Sequence, residues 1–226
     1  MQIPARFNGP PGSGNGGYSA GLLAAHVEAP AVEVTLRLPP PLERPLAIEQ
    51  RDGATVALNG DDVVLEARPV ELDLDPPAAP PLDDAVAADE VSLFRDGERH
   101  PFPTCVVCGP NREPGDGLRL FSGPLGDHRF ATVFRPTEPV TLPLLWAALD
   151  CPSSAPAIEF EGARPPSVLA RLAVRPLAEL EAGQTYPIVS WSLGEDGRKR
   201  TTGVAAFTEA GEPVAIGRAL WIELRG

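Results

Sequence analysis

The chain has little that would staple it covalently or seat it in a membrane. Its 226 residues include three cysteines, Cys105, Cys108 and Cys151. That number is odd and too small for the disulfide framework of a secreted scaffold, which leaves reduced thiols or metal ligation as the readings. Long apolar runs are also missing. The richest stretches, near Leu22 and across 142–149, fall far short of the roughly 20 residues that span a bilayer. The opening MQIPARF has no apolar leader, so a cytoplasmic protein without a membrane partner is expected. Basic residues are scarce: 19 stand against 31 acidic ones, for a net charge of −12. Such a surface repels phosphate backbones and anionic lipid, and nucleic acid is not expected as a partner. There is a single lysine, Lys199, and aromatic residues make up 6%.

What is present describes a folded chain. Hydrophobic residues make up 43% and charged residues 22%, enough for one large domain or two small ones sharing a core. The 28 prolines and 22 glycines are scattered, and they punctuate many short apolar runs instead of forming one disordered tract.

The order of these runs repeats. In the first half, Asn15 is placed to cap a helix running from Gly16 toward Val27, with Tyr18, Leu22, Leu23 and His26 near one face. His26 there reads as a core histidine. Alternating runs follow at 32–38, 46–50, 55–58 and 63–72, separated by turn signals at Asp52-Gly53 and Asn59-Gly60. In the second half, Pro143 suits the first turn of a helix over 144–150, and Pro152 should end it. Strand-like runs are expected at 128–134, 167–174, 185–193, 201–207 and 214–224, with turns at 194–197 and 209–212. The expected division is a first unit over 1–75, a Pro-rich extended linker over 76–90 and a second unit over 91–226. Short strands at 91–94 and 118–121 would flank the cysteine pair.

Several residues carry chemical potential. A helix entered through Asn15-Gly16-Gly17 offers free amides and a positive dipole end to a ligand oxygen; it is equally a plain capped helix. Asp150, at the expected end of an apolar helix and partly buried there, would have a raised pKa and could take a proton from water, or else hydrogen-bond Ser153 or Ser154. Cys105-Val106-Val107-Cys108-Gly109 has the spacing of a metal knuckle, which Cys151 with His100 or His128 would complete. The simplest reading is packed, reduced thiols with no metal and no cofactor. The basic run Arg198-Lys199-Arg200 reads as a solvated turn or a phosphate contact.

Three motifs carry a resemblance. Residues 7–24 (FNGPPGSGNGGYSAGLLA), 145–150 (LWAALD) and 212–217 (EPVAIG) resemble the tandem hotdog proteins of the acyl-CoA thioesterase type. The resemblance implies an α+β double hotdog: two antiparallel sheets, each wrapped around a central helix. It implies a hydrolase acting on an acyl-CoA-type thioester, with Asn15, Gly16, Gly17 and Tyr18 binding substrate and Asp150 as general base. Those enzymes support their Asp with a hydroxyl residue and a Gln on neighbouring strands. Residues 214–221 contain neither Gln nor Glu, which leaves Thr201, Thr202, Ser190 and Arg218 as candidates. Two alternatives stand beside hydrolysis: a non-catalytic binder of acyl or other hydrophobic ligands on the same fold, and a small metal-stabilised module built on Cys105 and Cys108. A homo-oligomer is compatible with each.

Overall fold

The computed structural model describes residues 1–158 and 167–224. Among these residues three α-helices, α1 (Gly16–Ala24), α2 (Leu82–Glu90) and α3 (Leu142–Ile158), accompany ten strands. In chain order these are β1 (Val32–Leu36), β2 (Ala47–Arg51), β3 (Ala54–Asn59), β4 (Asp62–Pro69), β5 (Gly123–Gly126), β6 (Arg129–Phe134), β7 (Ser167–Pro176), β8 (Tyr186–Asp196), β9 (Lys199–Phe207) and β10 (Pro213–Glu223). All strands pair antiparallel, in the order β2-β3-β4-β1-β7-β10-β9-β8-β6-β5. The expected pair of sheets is therefore one continuous ten-stranded sheet. Its halves are sewn together where β1 pairs with β7, Val32 opposite Val174 and Thr35 opposite Arg171. Leaving those two strands unpaired would expose a row of backbone donors and acceptors along each edge.

The two long helices lie together against this sheet. α1 packs on β1 and β4 and α3 on β6 to β10, and the helices also pack on each other. Glycine makes that close approach possible. A Cβ on Gly17 would lie 2.5 Å from both Asp150 Cβ and the Trp146 carbonyl oxygen, and one on Gly21 would lie 2.7 Å from Pro143 Cα. A single apolar cluster spans both halves and includes Leu23, Val34, Leu65, Trp146, Leu149, Leu172 and Ile188.

Several elements differ from the sequence expectation, each for an identifiable reason. α3 does not stop at Pro152; it continues through Pro152 and Pro156 to Ile158. Each interior proline costs about 3 kcal/mol, but the extension is buried from Pro152 to Ala157 and tied down by Ser153, which bonds the Asp150 carbonyl and Trp221, so burial against the sheet and these bonds oppose that cost. The linker is extended only as far as Pro81. Asp83 and Asp84 then sit favourably in the first turn of α2, whose buried Ala85 and Ala88 dock on the β5–β6 hairpin. Residues 91–94 and 118–121 join no strand. Leu93–Arg95 forms a 3-10 turn, while Leu118 and Leu120 donate to the carbonyls of Val106 and Val107 at 2.8 and 2.9 Å. His26 is exposed beyond the end of α1, so it is not a core residue. Gly194 is no turn residue either: it lies within β8 at a register shift against β9. No helix among the described residues is long and apolar enough to cross a membrane.

Candidate active site

The site forms where the start of α1 meets the middle of α3. Asn15 has extended backbone dihedrals, and its Oδ1 accepts from the Tyr18 amide at 2.8 Å, which caps the helix. This leaves Asn15 Nδ2 facing α3, where it donates to Asp150 Oδ2 at 2.8 Å. The Gly17 amide donates to the same oxygen at 2.8 Å. Two neutral donors thus fix one carboxylate oxygen. The other, Oδ1, is buried without a hydrogen-bond partner.

Asp150 is 2% exposed. Burial pushes its carboxyl up to about 7, against the opposing pull of the Gly17 and Asn15 donors. The direction and the role of burial are those expected from sequence; Asp150 sits mid-helix, so the expected helix-terminus contribution drops out. The hydrogen bond expected between its carboxylate and Ser153 or Ser154 is also not made. Ser153 Oγ instead donates to the Asp150 backbone carbonyl at 2.6 Å and accepts from Trp221 Nε1 at 3.0 Å.

Asp150 lines a largely apolar cavity of about 470 Å³, a size common for small-molecule sites. Leu36, Phe102, Ile158, Leu169 and Trp221 contribute apolar walls, while Asn15, Gly16, His100 and Asp150 bring polar groups. Of the expected binding residues, Asn15 and Gly16 line this cavity; Gly17 and Tyr18 do not. The Gly17 amide is committed to Asp150. Tyr18 stacks its ring on Phe7, with centroids 3.7 Å apart. The candidate supporting residues Ser190, Thr201, Thr202 and Arg218 are likewise absent from the cavity wall. Arg200 of the basic run pairs with Glu195 and Glu223, which makes it a structural cation.

The sequence grouped Cys151 with Cys105 and Cys108 as candidate ligands but not with the cavity beside Asp150. Cys105, Cys108 and Cys151 are all free, buried and on the cavity wall, with their sulfurs within 4.8 Å of one another. Cys105 is held below the usual thiol range by hydrogen bonds from Cys108 and Cys151, which are themselves pushed upward. His100 Nδ1 accepts from the Phe102 amide at 2.9 Å, and burial lowers its pKa. His128 is far from this role, exposed in the tight β5–β6 turn, where it and Asp127 both have positive φ. The CVVCG spacing and the Asp150-Cys151 adjacency were the available signals, and the fold brings thiols and carboxylate to one cavity.

Two long helices laid against one antiparallel sheet are an architecture of the hotdog type. No protein-family model matches the chain, and no curated protein matches it. Solved structures do. The chain is similar to the acyl-CoA thioesterase II TesB2 of Mycobacterium marinum, at 17% identity and TM-score 0.59 over 95% of this chain and 90% of that one. It is similar to the TesB protein of Mycobacterium avium subsp. paratuberculosis, at 16% identity and TM-score 0.62 over 100% and 91%. A hotdog-fold protein of unknown function from Alicyclobacillus acidocaldarius matches at 17% identity and TM-score 0.64 over 100% and 92%. The likeness runs along essentially the whole chain, so the fold is of the hotdog type, with two helix-and-strand sets in tandem along one sheet. Fold by itself does not fix chemistry, which must be argued from the site.

Proposed function

We propose that the chain hydrolyses an acyl-CoA-type thioester, with the acyl group in the apolar cavity and Asp150 as general base. Asp150 Oδ1 takes a proton from a water as that water attacks the thioester carbon. The tetrahedral intermediate then collapses, the carbon–sulfur bond breaks, and the proton returns to the leaving thiolate. The Gly16 amide, at the first turn of α1 and on the cavity wall, is the donor for the developing oxyanion. One observation carries this reading: a buried carboxylate with one oxygen clamped by Asn15 and Gly17 and the other left without a partner beside an apolar cavity.

Release of coenzyme A from a panel of acyl-CoAs of increasing chain length tests it. Turnover should fall by about a hundredfold or more in Asp150→Asn. Unchanged turnover would remove Asp150 from the reaction. A second reading, binding without hydrolysis, is favoured by the loss of the Gly17 amide to Asp150 and by the absence of Ser190, Thr201, Thr202 and Arg218 from the cavity wall. Saturable acyl-CoA binding with no thiol release would establish it.

A further inference from the structure

We infer that Cys105, Cys108 and Cys151 form a thiolate site for a zinc ion, with the fourth coordination position open to the cavity. The three sulfurs come from two segments of chain separated by more than thirty residues, yet all lie within 4.8 Å of one another. Bonds of about 2.3 Å to zinc place two sulfurs of a tetrahedral site about 3.8 Å apart. Cys105 and Cys151 Sγ are 3.7 Å apart, so this edge is already set, and the remaining edges need closure by about 1 Å at most to reach tetrahedral spacing.

The surroundings are arranged for sulfur carrying negative charge. The Val107 amide donates to Cys105 Sγ at 3.4 Å within the CVVCG turn. Asn15 Nδ2 lies 3.9 Å from Cys105 Sγ and 3.8 Å from Cys151 Sγ. Donors of this kind orient thiolate ligands and spread their charge. The turn is also held rigidly. Val106 donates to the Asn8 carbonyl, Leu118 and Leu120 donate back to Val106 and Val107, and Gly109 donates to the Cys105 carbonyl. A Cβ on Gly109 would lie 2.5 Å from Cys105 N and O, so the turn that points both sulfurs inward requires glycine there. Packing three thiols in a core requires none of this.

Among the described residues, no further His, Asp or Glu ligand atom joins the three sulfurs within that spacing. All three cysteines face the cavity, so the fourth ligand is a water or a small donor molecule entering from it. Binding releases the three thiol protons to solvent and leaves a singly negative zinc–trithiolate centre. The borderline-soft thiolate set favours zinc over magnesium or calcium.

Tag-free protein purified under reducing conditions should carry about one equivalent of zinc per chain, stripped by a strong chelator and restored by added zinc. Cobalt added to the stripped protein should give thiolate-to-cobalt charge-transfer absorption, weakened in each of Cys105→Ser, Cys108→Ser and Cys151→Ser. Should those variants unfold, thiol alkylation of the wild-type chain provides the readout, and zinc should slow it about tenfold or more. Zinc below about a tenth of an equivalent, together with no charge-transfer band, overturns the site. Zinc retained by the triple Cys→Ser variant, or alkylation indifferent to zinc, overturns it equally. Because none of these measurements requires turnover, they are independent of the thioesterase reading.

Discussion

Replacement of Gly17 by alanine probes the contact on which the site depends. Two effects compete. Alanine is favoured over glycine in a helix by at most about 1 kcal/mol through backbone entropy and propensity, and Gly17, in the first turn of α1, sits at the low end of that gain. Against this, the new Cβ would lie 2.5 Å from Asp150 Cβ, 2.5 Å from the Trp146 carbonyl oxygen and 3.0 Å from the Trp146 carbonyl carbon. Ordinary contact needs 3.4 Å or more, and two of the three obstacles are backbone, so no rotamer change relieves them. Overpacking of this kind costs typically 1–3 kcal/mol and sometimes more. The overlap of nearly 1 Å on rigid atoms sets the cost at the top of that range, for a net loss of about 2 kcal/mol. For a chain of this length, that lowers Tm by about 4–8 °C. Gly16→Ala supplies the comparison. Its Cβ comes under 3.4 Å only of the methyl ends of Leu169 and Leu36, at 3.0 and 3.3 Å, with Leu169 Cβ at an ordinary 3.4 Å, so the change should stay within about 1 kcal/mol. Urea unfolding followed by circular dichroism and tryptophan fluorescence measures both. A Gly17→Ala midpoint at or above that of Gly16→Ala would refute the tight α1–α3 crossing, and with it the placement of Asp150 against the α1 amides.

Two further substitutions address neighbouring parts of the structure. Asn15→Ala removes the α1 cap, worth about 1 kcal/mol, and one donor to a buried carboxylate, worth about 1–3 kcal/mol. Urea unfolding should show a combined loss of about 2–4 kcal/mol. If the loss matches the cap alone, the Asn15–Asp150 bond contributes nothing. Gly123→Ala would drive a Cβ into the Ala88 carbonyl and lift α2 from the β5–β6 hairpin, with a cost of about 1–3 kcal/mol. Limited proteolysis should then cut within 76–90 markedly faster than in the wild-type chain. An unchanged cutting rate would contradict the docking of α2.

Strands and hairpins were legible in the chain because each depends on neighbours in sequence. The alternation of Val32, Val34 and Leu36, and the Asp52-Gly53 turn with both φ values positive, are local matters of side-chain period and backbone sterics. The same holds for the Asn15 cap, whose Oδ1 binds an amide three residues on. The resemblance at 7–24 and 145–150 pointed to Asp150, which the fold buries against the start of α1.

Elements whose stability comes from distant partners were not legible. α3 persists through Pro152 and Pro156 because burial outweighs the lost backbone bonds, and local propensity contains no trace of that burial. The apolar run at 118–121 resembles a strand, yet its amides are taken by the cysteine turn. Gly17 looked like an open amide for a substrate; the tertiary structure gives that amide to Asp150 across 133 residues of sequence separation. Cys151 was a candidate partner of Cys105 and Cys108 from the sequence, but their meeting on the wall of the Asp150 cavity has the same tertiary origin. The sequence alone determined which residues could cap, turn and carry charge, since those properties are local. Which carboxylate, amide and thiol atoms share one buried cavity was decided only by the packing of α1 on α3, since long-range contact follows from burial of whole faces and leaves no local signature.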